Sequence, residues 1–202
     1  MYELFGIRFF EAVFCTDESL EKKYKKSYYK AKRVELLRNF PYITNDLPRN
    51  ISSNYSNKSL KLVYIGGVNK YRGVIETAEY VARYNKENIS QKKLDFYVYS
   101  SRNYLVDELA RKGLIKHYPY VDFELLKTEL VKFDIGICLW LDIPKFRKNL
   151  PLKNFDYMAA GLPIITSNFG NLQIHAQRSG AAICINPKDY KEFCSAIDYL
   201  FD

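Results

Sequence analysis

Two stretches of the sequence carry residue types that could hold a phosphorylated ligand. The first, Gly66-Gly67-Val-Asn-Lys-Tyr-Arg72-Gly73, joins an apolar strand pattern to a helix pattern. Paired glycines let backbone pass close to a ligand, the helix N-terminus behind them favours anions, and Arg72 adds a planar fork of donors. The second runs from Asn149 to Ile165, N-L-P-L-K-N-F-D-Y-M-A-A-G-L-P-I-I, and places Lys153 and Asp156 on the first turn of a short helix. A carboxylate beside an anion pocket repels the ligand unless it meets a hydrogen-bond donor, and a ribose diol is such a donor. Arg72 and Lys153 on a diphosphate, with Asp156 on a ribose, make one consistent nucleotide site. The same Lys–Asp spacing also describes an i,i+3 surface ion pair worth about 0.2–0.5 kcal/mol. Spacing alone leaves both readings open. The glycine stretch is neither G-x-G-x-x-G nor a Walker motif, because no Gly-Lys-Ser/Thr follows.

The elements that must position these residues are legible as an alternation. Pro151 suits a first helical turn and Gly161 a left-handed helix end. Phe155, Met158, Ala159 and Leu162 recur at helical spacing and are expected to form the buried face, with Lys153, Asp156 and Ala160 on another. From Leu60 onward, strand patterns at 62–65, 94–99, 114–117, 133–139, 163–166 and 181–185 alternate with helix patterns. These helix patterns cover 71–84, 102–112, 122–132, the 151–160 turn, 171–178 and 190–201. Six strands separated by helices predict a doubly wound, Rossmann-like parallel six-stranded sheet with helices on both faces. Ligands of such sheets bind beyond the carboxyl ends of the strands, at the switch point between strands one and four. Gly66-Gly67, Ser100 and the run from Trp140 arrive there.

Upstream the pattern is thinner. A short helix over 3–10, strands at 12–15 and 34–37, and a helix capped by Thr16 or Asp17 with Leu20, Tyr24 and Tyr28 on one face cannot easily form a stable sheet alone. Residues 1–43 are therefore expected to be the remnant of a larger unit. The Asn/Ser-rich 44–59 reads as a linker, and 60–202 as a ligand-binding domain.

Composition narrows the function classes. With 48% hydrophobic residues, 18 Tyr and 13 Phe among 202, the chain can build a core, and no apolar run approaches the roughly 18 residues that span a bilayer. The opening Met-Tyr-Glu-Leu-Phe-Gly-Ile-Arg has acid and base where a secretory signal is apolar, which points to the cytoplasm. Cys15, Cys138, Cys184 and Cys194 form no C-x-x-C pair, and His117 and His175 are the only histidines, so no metal site is expected. The net charge of +8 is concentrated in seven basic residues between Lys22 and Arg33. That run reads first as a solvated helix face and second as contact with an anionic membrane surface. No nucleic-acid motif accompanies it.

The chain resembles the donor-binding half of GT-B glycosyltransferases of the group 1 (family 4) type. The resemblance rests on Gly66-Gly67 with Arg72-Gly73, the Asp134-Ile-Gly-Ile strand, and Leu150 to Ile165. It covers 60–202, and 9–41 look like the last strand–helix–strand of the acceptor-binding half. It implies a nucleotide-diphosphate sugar as donor (UDP-, GDP- or TDP-linked) and no cofactor. Arg72 and Lys153 would lie at the diphosphate and Asp156 at the ribose. Gly66 and Gly67 would line the phosphates, and backbone near Ser100 and Tyr120 the base. Asp156 stands where the family usually has Glu, Lys148 where it often has a sugar-binding Glu, and Gly67 where many members carry a second arginine. Most of the acceptor-binding half and any catalytic base are not in the chain, so 1–202 alone is expected to be inactive. In the full enzyme, a retaining one, the sugar would pass to a surface polysaccharide or lipid-linked acceptor. A non-catalytic binding or interaction module and a GT-B sugar-nucleotide epimerase are the alternatives.

Overall fold

A computed structural model describes residues 6, 9–26, 32–37, 59–87 and 93–201. Most of the expected 3–10 helix, the 44–59 linker up to residue 58, and residues 27–31 of the basic run lie outside the described residues. The described chain forms β1 (Val13–Cys15), α1 (Glu18–Lys26), β2 (Val34–Leu36), β3 (Leu60–Ile65), α2 (Val74–Glu87), β4 (Leu94–Tyr99), α3 (Tyr104–Arg111) and β5 (Lys116–Tyr118). It continues with α4 (Phe123–Leu130), β6 (Ile135–Cys138), α5 (Leu152–Ala159), β7 (Ile164–Ser167), α6 (Gly170–Ser179), β8 (Ala182–Ile185) and α7 (Tyr190–Phe201). β1 and β2 pair in parallel as a separate two-stranded sheet around α1, whose first turn Asp17 caps by accepting from the Ser19 and Leu20 amides.

The six remaining strands form one sheet in the order β5-β4-β3-β6-β7-β8, every pair parallel. This is the doubly wound Rossmann-like order, with its switch point between β3 and β6. Both faces are covered, as the unbroken apolar strands require. Leu62, Tyr64, Phe96, Val98, Ile135 and Ile137 pack on one face with Val74, Ala78 and Val81 of α2, Leu109 of α3 and Phe193 and Ile197 of α7. Val63, Ile65, Cys138 and Ile164 pack on the other with Leu126 and Leu130 of α4, Tyr157 of α5 and Leu172 of α6.

The switch point is held open by a side chain. β3 pairs with β4 over six register positions but with β6 over only two, Leu62↔Ile135 and Val63↔Gly136. Beyond them the fully buried Tyr157 hydroxyl takes over, accepting from the Ile65 amide at 3.1 Å, with its oxygen 3.2 Å from the Val63 carbonyl oxygen and 3.4 Å from that of Ile137, to either of which it can donate. A side chain at Gly136 would fill the Tyr157 ring, its Cβ falling 2.4 Å from Cδ2. Glycine opposite tyrosine is what lets α5 lie against the strand ends.

That packing corrects the expected face of α5. Its buried residues are Lys153, Asn154 and Tyr157, continued by Ala160 in the cap, while Phe155, Met158 and Ala159 are only half-buried; of the expected set only Leu162, just past the helix, is buried. Apolar periodicity misjudged this helix because it faces strand ends, where free amides and carbonyls select a hydroxyl over an alkyl group. Pro151 is the cap residue, one position before the first turn, and Gly161 adopts φ 75° as expected.

Candidate functional site

A cleft of about 790 Å3 opens beyond the carboxyl ends of the strands. Gly66, Arg72, Tyr120, Lys153 and Asp156 line it together, with Trp140, Asn149, Asn171 and His175 beside them and Asp17 and Glu18 of the N-terminal segment across from them. Gly67 and Ser100 are not among the lining residues. Gly67 supports the wall: its carbonyl accepts from the Tyr64 hydroxyl at 2.7 Å and from Arg72 Nη1 at 3.4 Å. Ser100 is fully buried, its amide donating to Tyr118 O and its carbonyl lying 3.0 Å from His117 Nε2. Both of its backbone groups, considered for base recognition, are thus engaged within the protein.

The loop carrying Arg72 is seated on the end of β6. Gly73 adopts φ 65°, and a Cβ there would fall 1.4 Å from the Leu139 carbonyl oxygen, so no other residue lets the two segments meet. The Leu141 amide donates to Tyr71 O at 2.9 Å and locks that approach. The Arg72 guanidinium then lies over the Trp140 ring, 5.5 Å from its centroid, within cation–π range.

Lys153 is the most unusual group. Only 6% exposed, its ammonium sits 3.4 Å from the centroid of the Tyr64 ring and has no hydrogen-bond acceptor. Gly66, at φ 109°, lies directly against it: a Cβ there would be in van der Waals contact with Lys153 Nζ at 3.5 Å and Cε at 3.8 Å. Burial draws the Lys153 pKa down to about 7, against the opposing pull of the Cys138 thiol and the Asp156 carboxyl, while Arg72 adds to the lowering. Burial likewise raises Asp156 to about 6, with Lys153 opposing. Lys153 and Asp156 make no close ion pair with each other, so the surface-pair reading does not describe them. Arg72 Nε and Trp140 Nε1 are also buried without an acceptor. Three residues from three segments that line one cleft thus each bury a donor with nothing from the protein to receive it, an arrangement suited to an acceptor-rich anion.

Several lining residues carried no signal in the sequence. Asn171 ties the loop before α5 to α6, its amide donating to Arg147 O and its side chain to Lys148 O. The Lys148 side chain is exposed and does not line the cleft. Among the described residues no cluster of three or more His, Cys, Asp or Glu could hold a metal ion, and no helix is long and apolar enough to cross a membrane.

Residues 59–202, more than half of the chain, match the family model described as glycosyl transferases group 1. The chain belongs to that family. No curated protein sequence matches it. Solved structures of GT-B glycosyltransferases share the fold. One is an α,α-trehalose-phosphate synthase (UDP-forming) from Burkholderia vietnamiensis, with TM-score 0.67 and 11% identity over 98% of this chain and 53% of that one. Staphylococcus aureus TarM, solved with fondaparinux, α-GlcNAc-glycerol and UDP, has TM-score 0.66 and 12% identity over 99% of this chain and 38% of that one. The lipopolysaccharide outer core galactosyltransferase WaaB, in its apo form, has TM-score 0.62 and 10% identity over 95% and 53%. The group 1 chain thus spans about half or less of the solved glycosyltransferases it matches.

Proposed function

We propose that this group 1 glycosyltransferase chain supplies the donor site, binding a nucleotide-diphosphate sugar in the cleft beyond β3 and β6. The observation that carries the reading is the buried, acceptor-less Lys153 ammonium, packed against Gly66 in a cleft that Arg72 also lines. The diphosphate lies against Arg72 and Lys153. Asp156 accepts from a ribose hydroxyl, and Tyr120 borders the nucleoside. Transfer, with retention at the sugar carbon, proceeds by positioning and by stabilising the departing diphosphate. Residues 1–43 belong to the acceptor-binding side, joined through 44–59, and 60–202 form the donor domain. The acceptor is a surface polysaccharide or lipid-linked glycan, a reading supported by the fold shared with the lipopolysaccharide galactosyltransferase WaaB and with TarM, solved with α-GlcNAc-glycerol. The enzyme works at the cytoplasmic face of the membrane, with Lys22–Arg33 against anionic lipid. In that case anionic vesicles retain the protein at low salt and release it at high salt; retention indifferent to salt and lipid charge discards the contact.

Calorimetric titration with UDP, GDP and TDP tests the donor site, UDP first because the similar trehalose-phosphate synthase is UDP-forming and the TarM structure holds UDP. One nucleotide should bind with Kd on the order of 0.1–1 mM, roughly −4 to −5.5 kcal/mol. Arg72→Ala should remove that binding. No binding of any of the three, or binding untouched by Arg72→Ala, would overturn the reading.

A further inference from the structure

We infer that Trp140 is a direct ligand-binding residue of the cleft, its indole N–H donating a hydrogen bond to the bound diphosphate alongside Arg72 and Lys153. The inference rests on the donor-site reading above.

The backbone and ring of Trp140 are held on several sides. Its carbonyl accepts from Ser167 Oγ at 2.7 Å, and the amide of the next residue, Leu141, is held by Tyr71 O. Its ring packs on Phe146, centroids 4.5 Å apart, and carries the Arg72 guanidinium at 5.5 Å. The side chain is 4% exposed and lines the cleft, yet its one polar atom, Nε1, has no acceptor. A buried indole N–H is ordinarily paired, because leaving a donor unpaired after removing it from water costs about 1–3 kcal/mol.

Two explanations compete. In the first, the ring is only a shelf for Arg72, and the bare N–H is an incidental cost. In the second, the N–H is one of a set of donors kept dry for a ligand that brings its own acceptors. The company it keeps favours the second: Arg72 Nε and Lys153 Nζ are buried and unpaired in the same cleft. A diphosphate offers acceptors on every face and no obligatory donor, so it can receive all three. An indole N–H keeps its proton across the whole working range, so its contribution does not depend on pH as that of Lys153 does.

The chain has one tryptophan, so its emission reports on this ring alone. Fluorescence titration of the full chain with UDP, GDP, TDP and inorganic pyrophosphate is run beside calorimetry, on wild type, Trp140→Phe and Phe146→Leu. Trp140→Phe keeps an aromatic shelf for Arg72 and loses the donor, whereas Phe146→Leu disturbs the same packing and leaves the donor. Thermal unfolding confirms that each variant is folded. The inference expects a saturable change in wild-type emission at the calorimetric Kd. It also expects Kd to rise on the order of tenfold to a hundredfold in Trp140→Phe, the effect of one hydrogen bond to a charged group, and to rise less in Phe146→Leu. Wild-type binding with unchanged emission, or equal weakening in the two variants, overturns the Trp140 contact and leaves the donor site standing. Wild type that binds none of the four probes overturns the donor-site reading itself, and this inference with it.

Discussion

The two ends of the parallel sheet treat their polar groups in opposite ways. At the amino end they are paired. Asp134, just before β6, accepts from the Lys61 amide of β3 at 2.7 Å, and the Asn85 side chain both donates to Leu94 O and accepts from Leu94 N at the start of β4. Ser59 and Asp95 bond across the same edge at 3.1 Å. At the carboxyl end the pairing is partial: the Tyr64, Tyr157, Thr166 and Ser167 hydroxyls bond to backbone, and other polar groups do not. Arg72 Nε, Trp140 Nε1, Lys153 Nζ, Ser100 Oγ and Asn154 Oδ1 are buried there without partners. Unpaired buried polar groups cost stability. Their concentration at one end is the physical mark of a site whose missing partners come from a ligand.

Changes at the two ends should therefore separate stability from binding. The largest effect is expected from Gly73→Ala, whose Cβ would overlap the Leu139 carbonyl. It should unseat the Arg72 loop, abolish nucleotide binding by calorimetry and cost about 3 kcal/mol or more in denaturant unfolding. Asp134→Ala, at the paired end, should cost about 1–3 kcal/mol of stability by stranding the Lys61 amide, with nucleotide affinity unchanged. If it altered affinity, the division between the ends would fail.

The pH dependence sharpens the contrast. Tyr64, Cys138, Arg72 and Asp156 face the Lys153 ammonium, and burial lowers its pKa from the ordinary 10.5 to about 7. The cost of burying the charge is thus fully present below pH 7 and relieved as pH rises from 7 toward 10.5. The Asp156 pKa, raised from 3.8 to about 6, contributes stability that is present below pH 3.8 and lost as pH rises through 6. Together they weaken the ligand-free fold most between pH 6 and 7. Binding an anion requires protonated Lys153, so affinity should fall as pH rises above 7, with proton uptake visible in buffers of different ionisation enthalpy. Smallest of all, Arg147→Lys breaks the exposed two-point pairing with Asp142 and should change stability by about 0.5 kcal/mol or less and binding not at all.

The sheet was readable from the sequence because buried parallel strands write themselves as apolar runs separated by helix-length intervals. Asp122 and Gly161 even marked their helix ends. The cleft was readable where a residue's type carries chemistry, as with Arg72, Lys153 and Asp156. What stayed hidden depends on contacts between distant segments. The buried face of α5 is set by Tyr157 reaching the backbone of β3, ninety-two residues away, with room supplied by Gly136. The run from Trp140 was legible as arriving at the switch point, but its unpaired indole nitrogen and the Arg72 guanidinium over its ring depend on packing between distant segments.

The central claim is that Lys153 is held at a cost for the sake of a ligand, and Lys153→Met tests it most directly. Thermal unfolding without ligand at pH 6, followed by titration with UDP, GDP and TDP, gives the decisive pair of numbers. The account predicts a ligand-free protein as stable as wild type or about 1–2 kcal/mol more stable, because an uncompensated buried charge is gone, and nucleotide affinity at least about tenfold weaker. A less stable protein that binds nucleotide as wild type does would contradict it, and would make Lys153 a structural residue of the Tyr64 ring.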